Sequence, residues 1–190
     1  MPILTEEPPC YPGDLFDSPE INTSEQQQLW VFHTKPKQEK ALGRELTKWQ
    51  IPHYLPLRTK RNRIRGKTVP SYLPIFSGYI FLLADPEQRL KAFSTHRAVR
   101  SIPVGDQQRL WTDLHQLKRL ISSRVPIQPE ETIQPGMVVE ICSGPLTGLK
   151  GKLVGTDEKR RFIVEVDFIQ KGGAVTLEKD TEVRKSDWNY

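Results

Sequence analysis

What the 190-residue chain lacks narrows its possibilities first. It has only two cysteines, Cys10 and Cys142. Two are too few for a disulfide framework, so reduced thiols in a cytoplasmic protein are expected. No apolar run approaches the ~18 residues of a membrane-crossing helix, and no membrane association is expected. The opening MPILTEEPPCYPGDLFDSPE has neither the basic start nor the apolar stretch of a secretory leader. The four histidines, His33, His53, His96 and His115, are scattered, and none pairs with a cysteine or acid at metal-ligand spacing. HExxH, CxxC, P-loop, GxSxG and GxGxxG patterns are all missing. The expectation is a protein that is not an enzyme and uses neither cofactor nor metal. Apolar residues make up only 36% and prolines number 16, which points to modest cores with linkers or tails.

Positive charge is present, and it is unevenly placed. Residues 1–28 carry six acids and no Lys or Arg, a charge of −6. Residues 29–124 carry 19 basic and 6 acidic side chains, a charge of +13, and residues 125–190 carry 9 and 11, a charge of −2. A segment this basic attracts polyanions, because Lys and Arg release condensed counterions when they neutralise phosphates. A basic surface kept for solubility is the plainer alternative.

Periodicity divides the chain. Residues 1–28 are acidic, proline-rich and aperiodic, and read as a disordered tail. LWVFHTK (29–35) reads as a strand. Pro36 suits the first turn of a helix reaching about Gln50, with Ala41, Leu42, Leu46 and Trp49 inward and Lys37, Lys40, Arg44 and Lys48 outward. IPHYLPLRT (51–59) reads as a strand, Arg65-Gly66-Lys67 as a hairpin turn, and IFSGYIFLL (75–83) as the strongest strand in the chain. Asp85 caps a short helix with Pro86 at its first position. AVRSIPV (98–104) is a further strand. Asp106 then starts a helix carrying Leu110, Leu114, Leu117 and Ile121. Three prolines in RVPIQPEETIQP place a linker at 124–135. Five short β-branched runs follow, enough for a small barrel over 136–190. Cys142 falls in one of them and is expected to be buried, whereas Cys10 lies in the tail.

Two motifs sharpen this division. In PGMVVEICSGPLTGLKGKLVG (135–155), a strand runs into Gly144-Pro145-Leu146, then Gly148, then Gly151 and a second strand. This resembles the KOW motif, which also occurs in some ribosomal proteins. PIFSGYIFL (74–82) is similar to the Phe-Pro-Gly-Tyr strand of the NusG N-terminal domain, matching it at Phe76, Gly78, Tyr79 and Phe81, with Ser77 in place of the usual proline. Alternation puts Tyr79 and Phe81 on one face and Ile80 and Leu82 on the other. One face can then serve a core and the other a partner, although all four can equally be core.

Together the motifs cover 29–188 and resemble the NusG family, with some likeness to its RfaH-like specialised members. The resemblance implies an α+β fold: an N-terminal α/β sandwich, an antiparallel sheet with flanking helices, over 29–123, and an SH3-like KOW β-barrel over 136–190. It implies a monomeric transcription elongation or antitermination factor of bacterial type. Trp30, Phe32, Phe76, Tyr79 and Phe81 would bind RNA polymerase at the β′ clamp helices, with the β gate loop as a further contact. Lys37, Lys40, Arg44, Arg61, Arg63, Arg65, Lys67 and Arg97 would meet upstream or non-template DNA. Gly144, Pro145, Leu146, Gly148 and Gly151 would receive a second partner, Rho or a small-subunit ribosomal protein. The abundance of β-branched residues in MVVEIC and RFIVEVDFI favours a barrel over a helical hairpin. The alternative is a ribosome- or RNA-associated KOW protein.

Overall fold

The computed structural model describes residues 8–18, 20–21, 26–64, 66–131, 136–155 and 160–186. The chain forms two compact units, 1–107 and 108–190, and each is treated by itself.

The first unit contains β1 (Cys10–Tyr11), β2 (Gln28–Thr34), α1 (Glu39–Lys48), β3 (His53–Tyr54), β4 (Leu57–Ile64), β5 (Lys67–Pro74), β6 (Tyr79–Ala84), α2 (Pro86–Phe93) and β7 (Ala98–Pro103). Five strands form one antiparallel sheet in the order β1-β3-β6-β2-β7. The most apolar strand, β6, takes the centre, where both of its faces are covered. On one face Ile80 and Leu82 pack with Phe32, Leu42, Leu46, Ile51 and Ala92, so α1 and α2 close this side. Helix α1 begins at Glu39 rather than Pro36, because Lys37 adopts φ +62°, outside the helical region. Asp85 forms the expected cap of α2, with Gln88 completing a capping box.

The expected disordered tail is corrected within the described residues. Cys10 and Tyr11 pair with β3 as an edge strand, and Phe16 is buried against Tyr54 with ring centroids 5.2 Å apart. One aromatic ring gives this acidic stretch enough apolar surface to dock. Residues 1–7, 19 and 22–25 lie outside the described set.

The second unit holds nearly all of α3 (Gln107–Ser122), with β8 (Gln128–Glu130), β9 (Met137–Ile141), β10 (Lys150–Val154), β11 (Arg161–Val166), β12 (Lys171–Thr176) and β13 (Val183–Lys185). Its antiparallel sheet runs β13-β9-β10-β11-β12-β8. The molecule is therefore α+β, with an N-terminal sheet flanked by helices and a β-rich C-terminal part, and 137–141 and 161–166 are strands as expected.

By contacts the chain divides between Gln107 and Gln108, at the start of α3, ahead of the proline-rich stretch at 124–135. Leu117 and Leu120 of α3 and Ile127 lie against Gly173, whose missing side chain makes room for them. Residues 128–130 pair with β12 at the sheet edge, where Pro129 costs no ladder bond on its open side. Helical periodicity located α3 but could not tell which sheet its leucines would cover.

Candidate partner-binding surfaces

Register sorts the aromatic residues. Trp30, Leu82 and His53 stand opposite one another, as do Val31, Phe81, Tyr54 and Cys10. The first set lies on the helix-covered face and the second on the reverse. Trp30 and Phe32 therefore belong with the core. Phe32 is fully buried there, and Trp30 donates through Nε1 to the Ala84 carbonyl at 3.3 Å while the Arg89 guanidinium lies 4.8 Å from its ring centroid. Phe32 does not face outward, which corrects its assignment to a partner surface, whereas Trp30 stays half-buried. On the reverse face are Phe81, Tyr54 and Tyr79, with Phe76 edge-on to Phe81 at 6.3 Å and His33 tilted against Tyr79 at 5.2 Å. Phe76 and Phe81 are each 1% exposed, which corrects their assignment to a partner surface, and Tyr79 is the half-open member. Burial lifts the Tyr54 hydroxyl well above its usual range, and the Cys10 thiol beside it pushes the same way.

The turn that presents Tyr79 depends on a residue that sequence reading missed. Strand β6 starts at Tyr79 and not at Ile75, because Gly78 takes φ +83°. The buried Glu39 carboxylate accepts the Gly78 N–H at 2.7 Å, and Thr34 N–H donates to the Gly78 carbonyl at 2.8 Å. A side chain at 78 would also meet the His33 ring at 3.3 Å. Glycine is thus required twice, by φ and by close approach. Glu39 sits in a helical first turn, where an acid normally reads as a dipole partner, so nothing in the sequence marked it for this role.

Strands β4 and β5 form a two-stranded sheet of their own. Lys60, Arg61, Arg63 and Lys67 are exposed along it, and no acid occurs from 57 to 74. Arg61 and Arg63 share one face of this ribbon, and Arg58, Lys60 and Lys67 share the other. Arg65 lies outside the described residues. Lys40 and Arg44 of α1 line a cleft with Leu57 at the base of β4, so the helix stripe runs towards the ribbon, and Lys37 is exposed just before α1. Arg97 is used internally. Its Nε donates to Glu45 at 2.9 Å and its Nη1 to Gln38. Arg97, its side chain a third exposed, is thus also engaged within the unit.

In the second unit, Gly144 and Gly148 take φ +77° and +78°, and a Cβ at Gly151 would stand 2.4 Å from the Ile163 carbonyl oxygen. These glycines build the corner. Gly144 and Pro145 are exposed, whereas Leu146 is only 5% exposed and faces inward. Leu146 lines a cleft with Val125, Pro145 and Leu177, bordered by Glu178, Asp180 and Glu182. As an outward apolar anchor Leu146 is thus corrected, because a short 3-10 turn at 144–146 rolls it into the sheet. Arg119 of α3 donates to the Thr147 and Gly148 carbonyls, each at 3.2 Å. Asp113, also on α3, is buried and accepts the Asp167 N–H at 3.0 Å. Burial raises its carboxyl to about 7, opposed by that hydrogen bond and by Arg109. The two cysteines reverse their expected places: Cys10 is buried in the N-terminal segment and Cys142 is exposed at a strand end. Among the described residues no group of His, Cys, Asp and Glu could hold a metal, and no helix is long and apolar enough to cross a membrane.

A family model described as "Transcription termination factor nusG" matches residues 27–130. Among solved structures, one described as "Domain interaction in Thermotoga maritima NusG" is similar at 17% identity and a TM-score of 0.45, covering 84% of this chain and 97% of that one. No curated protein matches the chain.

Proposed function

The chain belongs to the NusG family of transcription termination factors, and from that membership we propose that it binds RNA polymerase across the clamp, suppresses pausing or modulates termination, and recruits a second partner through its C-terminal unit. The observation that carries this reading is the split sheet of the first unit. One face is closed by α1 and α2, while on the reverse Tyr79 stands half-open over the buried rings of Tyr54, Phe76 and Phe81, and the same unit carries an exposed basic ribbon. Aromatic rings supply large apolar contact area at low conformational cost. An acid-free ribbon supplies phosphate affinity without base choice.

In this reading Tyr79, supported by the buried rings behind it, meets the apolar clamp helices of the β′ subunit. Lys60, Arg61, Arg63 and Lys67, with Lys37, Lys40 and Arg44, neutralise upstream or non-template DNA. A factor that spans the cleft holds the clamp closed. If pausing requires a minor open state, a ligand preferring the closed state depletes it. A preference of about 1.4 kcal/mol shifts that balance tenfold. The factor makes and breaks no bond. The exposed Gly144-Pro145 corner and the adjoining cleft would meet the second partner, Rho or a small-subunit ribosomal protein.

Affinity purification of the full chain from native cells tests the proposal. Core RNA polymerase should be enriched over ribosomes, and Tyr79→Ala should lower polymerase recovery about tenfold, a typical loss for an aromatic anchor. Ribosome enrichment that survives Tyr79→Ala would favour the RNA-associated alternative. Replacing Arg61 and Arg63 with Gln should leave clamp-fragment binding intact and flatten the salt dependence of DNA binding by roughly one unit of slope per lost phosphate contact.

A further inference from the structure

We propose that the cleft between α1 and the chain entering β4 binds a ribose phosphate unit of single-stranded RNA, with phosphates on Lys40 and Arg44 and the 2′-hydroxyl donating to His53. This goes beyond the reading above, which gives these two cations phosphate contact without choice of sugar. The cleft, of about 160 Å³, is lined by Lys40, Gly43 and Arg44 of α1 and by His53, Leu55 and Leu57. One polar atom among them lacks a partner. His53 is 2% exposed, and its Nδ1 lies 2.9 Å from the Ile51 carbonyl. A carbonyl only accepts, so Nδ1 carries the proton. Burial holds the ring below its usual pKa, against that hydrogen bond, and keeps it neutral. Nε2 is then an acceptor, and among the described residues nothing donates to it. Thr47 lines the cleft too, but its hydroxyl donates to the Gly43 carbonyl at 3.0 Å.

Gly43 keeps that acceptor open. It lies inside α1, where glycine is a weaker helix former than alanine. Neither backbone nor packing demands it. Its φ is not in the left-handed region, and a Cβ there would meet its nearest neighbour, His53 Nε2, at 3.6 Å, an ordinary van der Waals distance. The space a methyl group would fill thus lies against Nε2. A donor placed there must be small. It must also sit beside anionic groups, because half-buried Lys40 and exposed Arg44 stand one turn apart on the same helix. A phosphodiester carries no donor. The ribose of RNA does, since its 2′-hydroxyl donates between flanking phosphates, and deoxyribose lacks that group. Buried acceptors are normally paired, so the strand that supplies the hydroxyl is favoured over the one that does not. Leu55 and Leu57, both buried, offer an apolar wall to the carbon side of the sugar.

Fluorescence anisotropy of the full chain with labelled oligouridylate, oligodeoxyuridylate and 2′-O-methyl oligouridylate of one length tests this. Uracil has no exocyclic amine, so the competing donor that a base could bring to Nε2 is removed. At one salt concentration the RNA should bind roughly fivefold more tightly than either of the others, about what one hydrogen bond contributes. Gly43→Ala, which fills the space at Nε2 and favours the helix, should bring RNA down to the affinity of DNA. It should leave DNA binding and the salt slope unchanged, because no phosphate contact is lost. Equal affinity for the three strands in the wild-type chain overturns the proposal, as does an RNA preference that survives Gly43→Ala. If 2′-O-methyl RNA binds as tightly as RNA, the hydroxyl is not the donor and the proposal fails. If no strand binds, the phosphate contacts assigned to Lys40 and Arg44 fail with it. Polymerase is absent from the assay, so the polymerase reading stands or falls separately.

Discussion

The two faces of the N-terminal sheet are covered by different means. On one, Leu42 and Leu46 of α1 and Ala92 of α2 lie against Phe32, Ile80 and Leu82, and the covering helices are continuous with the strands they protect. On the other, aromatic rings dominate, and one of the covers is a short terminal segment held by an edge strand and Phe16. Both faces are buried, the first by helices and the second in part by that terminal segment. The second unit shows an intermediate arrangement, in which α3 lies on its sheet through Leu117 and Leu120 and is fixed by the polar contacts of Asp113 and Arg119.

Mutations can break this comparison, and the helix-sealed face should suffer most. Leu46→Ala removes a side chain with no exposure from the sealed core, and should cost about 2–5 kcal/mol in urea unfolding. A loss below about 1 kcal/mol would show that the helix side is not the sealed core of this unit.

The α3 contact should come next, and it should depend on pH. Burial holds the Asp113 carboxyl near 7, against 3.8 for an ordinary aspartate. The docked helix therefore binds a proton that the freed helix releases. Docking should strengthen as pH falls from about 7 towards 4, and the full cost of burying the charge is present above pH 7. That cost is bounded at about 4 kcal/mol, from 1.36 kcal/mol per tenfold change in proton affinity. Glu165, also raised by burial and opposed by Lys152, contributes with the same sign. Amide exchange across 110–120, corrected for its intrinsic pH dependence, should be slower at pH 5.5 than at pH 8. Asp113→Asn should flatten the difference. An unchanged profile would mean that the carboxylate is solvated.

The smallest stability effect belongs to the N-terminal segment. Phe16→Ala should lower global stability by less than Leu46→Ala, because the ring is held on a two-residue edge strand. A loss equal to that of Leu46→Ala would make Phe16 an integral core residue and erase the contrast between the faces.

Strand alternation in YIFLLA was enough to separate Tyr79 and Phe81 from Ile80 and Leu82, because a central strand obeys its two-residue period. The Asp85 cap and the Gly66 turn were equally legible, each fixed by local chemistry. What the sequence concealed were the long-range choices. Phe16 was lost in an acidic, proline-rich stretch whose composition outweighed its single ring. Glu39 and Gly78 lie 39 residues apart and meet only in space. Arg97 and Glu45 lie 52 residues apart and pair only in the fold. Leu146 belongs to a motif whose glycines set the backbone corner but leave open which way the side chain rolls.

Hydrogen exchange on the full chain, alone and with saturating core RNA polymerase, tests the central claim most directly. The account predicts slower exchange across 76–83, as the partner meets Tyr79 and its neighbours. Protection confined to the 57–74 ribbon or to 137–185, with 76–83 unaltered, would contradict it.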